Sequence, residues 1–131
     1  MMVRDALVPD PRVIDGGAAV QEVAELLSRP NVRSALVVSD GRLLGCVTAA
    51  EIVAAVARGS IEGLSARDVA SSEHATIGPD ASLDDAIHLM AERELDRLPV
   101  VADGRLLGVL PREGLVRRLA EDEAPDAVAE T

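Results

Sequence analysis

No phenylalanine, tyrosine or tryptophan occurs in the 131 residues. Stacking of bases on aromatic rings is therefore excluded, and the core has to be built from Val, Leu, Ile, Ala and Met. Cysteine is nearly absent as well. Cys46 alone allows no internal disulfide, and it lies in an apolar run where a free thiol packs as a small hydrophobe. A reducing compartment fits, and a cytoplasmic location is expected. No apolar run reaches the roughly eighteen residues of a membrane-spanning helix, and no basic stretch leads into an apolar one with a cleavage site. Basic residues are scarce: 13 Lys and Arg stand against 23 Asp and Glu, a net charge of −10. Such a chain repels phosphate backbones and anionic lipid, so neither nucleic acid nor membrane is an expected partner.

The residues of reactive chemistry are thin on the ground too. His74 and His88, with Cys46, lack the spacing of zinc or iron ligands, so surface roles are expected for the histidines and no metal site is assigned. Gly16-Gly17 lacks the Lys-Ser/Thr of a phosphate loop and reads as a turn before a helix. Ser, His and Asp are present, but nothing marks a nucleophile elbow or an activated base. No catalytic residue is assigned, no cofactor is required, and an enzyme is not expected.

What the chain does have is a repeat. Asp40-Gly41-Arg42-Leu43-Leu44-Gly45 returns unchanged as Asp103-Gly104-Arg105-Leu106-Leu107-Gly108, an offset of 63 residues from Gly45 to Gly108. The same offset carries Arg4-Asp5 onto Arg67-Asp68, Ile14 onto Ile77, Leu26 onto Leu89 and Val53 onto Val116 without a gap. The chain is two copies of one unit.

Each copy reads strand, helix, strand, strand, helix. Val20, Val23, Ala24 and Leu27 recur at helical spacing, as do Leu83, Ala86, Ile87 and Met90, with Ser82 and Asp85 as a cap. Ala35 to Val38 and Leu43 to Val47 are β-prone runs separated by Asp40-Gly41, a hairpin signal repeated at Asp103-Gly104. Ile52, Val53 and Val56 open a second amphipathic helix, matched by Leu115, Val116 and Leu119, with Ala54, Ala55 and Ala57 on its outward face. Short strands are expected near Val13-Ile14 and Thr76-Ile77. The units run over 1–59 and 66–121, joined by a linker at 60–65 and followed by an acidic, disordered tail at 122–131.

The hairpin ending in Leu44-Gly45-Cys46-Val47-Thr48-x-x-Glu51-Ile52, the run Arg97-Leu98-Pro99-Val100-Val101 before Asp103-Gly104, and the lead-ins Val3-Arg4-Asp5 and Ala66-Arg67-Asp68 resemble cystathionine β-synthase (CBS) domains over residues 3 to 121. The resemblance implies an α+β fold of two β-α-β-β-α units packed about a pseudo-twofold axis. It also implies adenosine-containing ligands such as AMP, ADP or ATP in clefts between the units, a homodimer formed through helices, and a freestanding regulatory module acting on an unknown effector protein. By the same resemblance Thr48 and Glu51 would hold phosphate and ribose hydroxyls, Arg97 would face the phosphate, Ala75 and Ile77 would pack on adenine, and Pro99 would complete the site. Glu51 stands where the family carries Asp, one methylene shorter. In the second copy Pro111 and Gly114 replace the hydroxyl and the acid, so at most one site of this type is expected.

A second reading of the same residues remains open. Thr48-x-x-Glu51 before an apolar run is also a capping box, complete without a ligand, and Arg97 could pair with Asp96 or Glu94. On that reading the chain is a ligand-independent dimerisation scaffold with decayed nucleotide sites.

Overall fold

In the computed structural model, which describes residues 1–9, 12–118 and 120, the periodicities become a mixed α+β fold. The elements are β1 (Val13–Asp15), α1 (Val20–Leu27), β2 (Ser34–Ser39), β3 (Arg42–Thr48), α2 (Ala49–Ala57), the short α3 (Ala66–Val69), α4 (Leu83–Arg93), β4 (Arg97–Ala102) and β5 (Arg105–Pro111). Residues 112–118 are helical and are called α5. Leu119 and the tail expected at 122–131 lie outside the described residues.

The hairpin signals form hairpins for the reason their residues imply. Asp40 and Gly41 both have positive φ, 52° and 81°, and Asp103 and Gly104 repeat this at 53° and 80°. Two left-handed central residues give the turn whose twist matches the flanking strands, and Asp tolerates that region better than most residues. Ser82 caps α4 as expected, its hydroxyl accepting from Asp85 N at 3.0 Å.

In space the chain divides differently from the repeat. Among the described residues one compact unit comprises 12–74 with 104–106, and the other comprises 1–9, 75–103, 107–118 and 120. Boundaries near 59 and 66 follow the covalent duplication, whereas packing exchanges the lead-ins. Val3 is fully buried among Leu83, Ala86, Met90, Leu98, Val100, Leu110 and Leu115 of the second repeat. Its backbone is held there: Val3 N donates to Ala81 O and Arg4 N to Pro79 O, both at 2.9 Å, and Leu83 N donates to Met1 O at 3.0 Å. The Arg4 guanidinium pairs with Asp80.

The same contacts recur 63 residues on, in the other unit. Ala66 N donates to Ala18 O at 2.7 Å, Arg67 N to Gly16 O at 3.0 Å and Val20 N to Leu64 O at 3.1 Å. Ala66 and Val69 join Val20, Val23, Ala35, Val37, Val47 and Ala55 in a second core. The stretch expected as a linker at 60–65 takes part, since Ile61 and Leu64 pack against that core.

Both lead-ins then run on as bridges along the hairpins. Ser71 exchanges backbone hydrogen bonds with Cys46 at 2.9 and 3.0 Å, and Val8 with Val109 at 2.9 and 2.8 Å. This approach is what the repeated glycines are for. A methyl group at Gly45 would sit 2.6 Å from Ser71 O, and one at Gly108 would sit 2.6 Å from Val8 O.

Within the first unit β1 runs parallel to β2, pairing Val13 with Leu36 and Asp15 with Val38, and β2 is antiparallel to β3. The strand expected at Thr76-Ile77 is reduced to one parallel bridge, Ile77 to Val100 on β4. The face of α2 differs from expectation. Ala55 is only 3% exposed and faces the core with Ile52, while Val53 and Val56 are 67% and 53% exposed. After Glu51 the helix is wholly apolar, so its pattern does not select a face; the small Ala55 lets the helix lie close against its neighbours. In α5 Leu115 is buried as expected, and Val116 is exposed.

Candidate ligand site

β3 delivers Thr48 in extended conformation (φ −119°, ψ 176°) to the start of α2, and Glu51 follows one helical turn later. Thr48 N donates to Glu51 Oε1 at 2.6 Å, and the Thr48 hydroxyl donates to the same oxygen at 2.7 Å. Thr48 Oγ1 in turn accepts from Ala50 N at 3.2 Å. This is the reciprocal capping box. It engages one carboxylate oxygen only: among the described residues Oε2 takes no hydrogen bond, so both its lone-pair sites are available. A carboxylate so oriented can accept from vicinal hydroxyls without unmaking the cap.

In the other unit, four of the expected residues come together. Ile77 N donates to Pro99 O at 3.0 Å, and Val101 N to Ile77 O at 2.9 Å, which clamps the segment beginning at Ala75 onto β4. Pro99 is buried, while Ala75, Ile77 and Arg97 are half-buried. Arg97 opens β4 and is engaged by neighbouring groups. Asp96, expected with Glu94 as an alternative partner of Arg97, reaches Arg112, with Oδ1 3.3 Å from Nη2 and its carbonyl accepting from Arg112 N at 2.8 Å.

The equivalent position in the second repeat is chemically blank. Pro111 ends β5 directly before α5, and a side chain at Gly114 would meet the Pro111 ring, with Cβ 3.1 Å from Cγ. The ring stands beside the place a carboxylate would need.

Two features escaped the sequence. A groove of about 340 Å³ lies on α4 and α5, lined by Ile87, Met90, Ala91, Leu115 and Val116 with the charged Glu94 and Arg112. Val116, expected only as part of an amphipathic helix, is exposed and lines it. His74, assigned to the surface, is half-buried, and its Nδ1 is enclosed without a hydrogen-bond partner among the described residues. No pattern in the sequence marks that burial.

His88 does lie on the surface of α4. Its pKa is raised by the hydrogen bond to the Asp84 carbonyl (2.8 Å) and then by the Asp84 carboxylate, with smaller help from Asp85 and Glu92. Asp68, the acid of the capping box on α3, is held below the ordinary carboxylate range by Ser65, whose N–H and hydroxyl donate to Oδ2 at 2.8 and 3.0 Å. Among the described residues no cluster of three metal-ligating side chains occurs, and no helix is long and apolar enough to cross a membrane.

A duplicated β-α-β-β-α unit with exchanged lead-ins and a capped helix after its hairpin defines a class of small paired modules. The CBS domain family matches residues 3–58 and again 66–121, and the chain belongs to that family as a tandem CBS pair. It is 30% identical over 128 residues to the CBS domain-containing protein YhcV of Bacillus subtilis, covering 96% of this chain and 91% of that one. Among solved structures it is similar to the CBS-pair protein CBSX2 from Arabidopsis thaliana, at 26% identity and a TM-score of 0.76 over 94% of this chain and 96% of that one. The structure of CBSX2 in complex with AMP gives 27% identity and a TM-score of 0.75, covering 93% and 98%. The homoserine O-acetyltransferase of Methanohalophilus mahii is 33% identical over 84% of this chain, which spans only 23% of that enzyme.

Proposed function

We propose that this CBS pair is a regulatory module that binds an adenosine-containing ligand of the AMP, ADP or ATP type and signals its occupancy to a separate effector protein. The observation that carries the reading is the half-used Glu51 carboxylate, whose Oε2 is left with both acceptor sites while Oε1 closes the cap. The likeness to CBSX2, solved with AMP, supports the same ligand class. In this assignment Glu51 Oε2 accepts from the ribose hydroxyls, and the Thr48 hydroxyl at the helix start favours phosphate. Arg97 adds the charge-assisted contact to phosphate, and Ala75, Ile77 and Pro99 supply the apolar surface for adenine. The module acts in the cytoplasm and has no catalytic step of its own.

Calorimetric titration with AMP, ADP, ATP and S-adenosylmethionine tests this. Glu51→Gln keeps the shape but replaces a charged acceptor, and weakens nucleotide binding by about 1.5 to 3 kcal/mol while the apo protein loses under about 1 kcal/mol. Arg97→Ala weakens phosphate-bearing ligands more than adenosine. Absence of any shift in the melting curve at millimolar ligand sinks the reading, because a ligand that prefers the folded state must stabilise it.

The alternative, a ligand-independent dimerising scaffold, draws on the blank second site at Pro111 and Gly114. On either reading we assign a homodimer formed through helices. The exposed Val53, Val56 and Val116 and the groove on α4 and α5 give such contacts an apolar surface. A monomer mass by light scattering at tens of micromolar would refute it.

A further inference from the structure

The hexapeptide that revealed the duplication is only partly explained by its turn and its glycines. Its arginines, Arg42 and Arg105, are direct Cα partners on antiparallel β3 and β5, within the unit that holds residues 12–74 and 104–106. The register is fixed on both sides, by Leu43 N donating to Gly104 O at 3.0 Å and Leu106 N to Gly41 O at 2.9 Å. Directly opposed residues project to the same face, so the two guanidiniums share one surface. Each reaches over the glycine of the opposite turn: Arg105 Nη1 lies 2.8 Å from where a methyl group at Gly41 would sit, and the Arg42 guanidinium fills the equivalent place at Gly104.

Like charges directly opposed on neighbouring strands are unfavourable. Among the described residues no carboxylate forms an ion pair with either guanidinium. Among the described residues one hydrogen bond relieves them, from Arg105 Nη1 to Asp40 O at 3.1 Å. Each guanidinium carries five N–H donors in a fork matched to tetrahedral oxyanions. In a chain of net charge −10, two exposed cations on paired positions without a carboxylate partner among the described residues form the feature most in need of an anion.

The geometry points to a binding site for a phosphate-class oxyanion between Arg42 and Arg105, beside Gly41 and Gly104. A diphosphate group presents enough oxygens to engage both forks at once. It can arrive as free pyrophosphate or as the tail of a nucleotide. This site is independent of the Thr48–Glu51 reading, because none of its residues is shared.

The test is calorimetric titration of the full chain with pyrophosphate at constant ionic strength, with sodium chloride as control. The wild type binds pyrophosphate and is stabilised beyond the chloride control, and Arg42→Gln with Arg105→Gln weakens that binding by about tenfold or more, the loss expected for charge-assisted bonds. Arg42→Lys with Arg105→Lys keeps the charge and removes the fork, and gives an intermediate affinity with an unchanged apo melting temperature. Glu51→Gln leaves pyrophosphate binding unaltered, which separates failure of this site from failure of the adenosine site. A matching loss of ADP affinity in the Gln pair assigns the anion as a nucleotide tail; unaltered ADP affinity assigns it as free. Stabilisation no greater than that by chloride, or equal pyrophosphate affinity in the Gln pair, overturns the proposal.

Discussion

Replacing Gly45 by alanine tests the lead-in exchange at its tightest point. The added methyl would sit 2.6 Å from Ser71 O and 3.1 Å from the Ala70 methyl, and the first of these is backbone that no rotamer change can move. Either the bridge from Cys46 to Ser71 opens or the strand is displaced. Opening it removes two hydrogen bonds, of 2.9 and 3.0 Å, worth about 1 kcal/mol each. Displacement incurs the roughly 1 to 3 kcal/mol typical of overpacking. Against this, alanine restricts the unfolded chain and returns about 0.4 to 1 kcal/mol. The net expectation is a loss of about 1 to 1.5 kcal/mol, a sizeable share of the roughly 5 to 15 kcal/mol that holds a domain folded. Gly108→Ala should lose a similar amount, since it meets Val8 O at the same 2.6 Å. Gly78→Ala is the control, because a methyl there meets nothing within 4 Å. Urea unfolding of the three variants measures the differences. Equal stability of Gly45→Ala and Gly78→Ala would refute the view that the glycine repeats to admit the lead-in.

Val3→Ala should destabilise the chain by about 2 kcal/mol, the transfer cost of two buried methyl groups with some cavity penalty, whereas Val53→Ala at a 67% exposed position should change little; thermal melts compare them. His88, its pKa raised above 6.5, contributes stability that is complete below that value and fades as pH rises through the folded-state value; His88→Asn should flatten that part of the pH profile, and NMR titration reads the pKa directly. Asp68 has the opposite sign: its pKa is lowered from 3.8, so its contribution is present above that value and is lost as pH falls through the depressed one, an acid dependence that Asp68→Asn should remove. With a net charge of −10 the melting temperature should rise between about 10 and 150 mM salt as self-repulsion is screened; a flat or falling curve contradicts this.

The duplication and its turns were legible because they depend on local chemistry. Asp40-Gly41 and Asp103-Gly104 state their backbone conformation in their own residue types, and the period of α1 and α4 names a buried face. The face of α2 was not legible. After Glu51 its run Ile-Val-Ala-Ala-Val-Ala is wholly apolar, so burial of Ala55 over Val53 is settled by what lies beneath it. The exchange of lead-ins was hidden for a different reason. An offset of 63 residues relates each lead-in to its copy but does not say which copy's core it enters, and Val3 would be apolar in either.

Thr48 and Glu51 show where sequence and static structure meet the same ambiguity. A capping box and a ribose-binding carboxylate require the same two residue types at the same spacing, because both place an acceptor beside the first turn of a helix. In the structure Oε1 closes the cap, and Oε2 takes no hydrogen bond among the described residues. Pro111 supplies the internal comparison. Its missing N–H suits the entry to a helix, and it lets α5 begin with neither hydroxyl nor carboxylate at the positions matching Thr48 and Glu51. Helix entry at this point of the unit is therefore built in two ways: by a hydroxyl and a carboxylate that satisfy the Thr48 N–H in the first repeat, and by a proline that has no N–H to satisfy in the second.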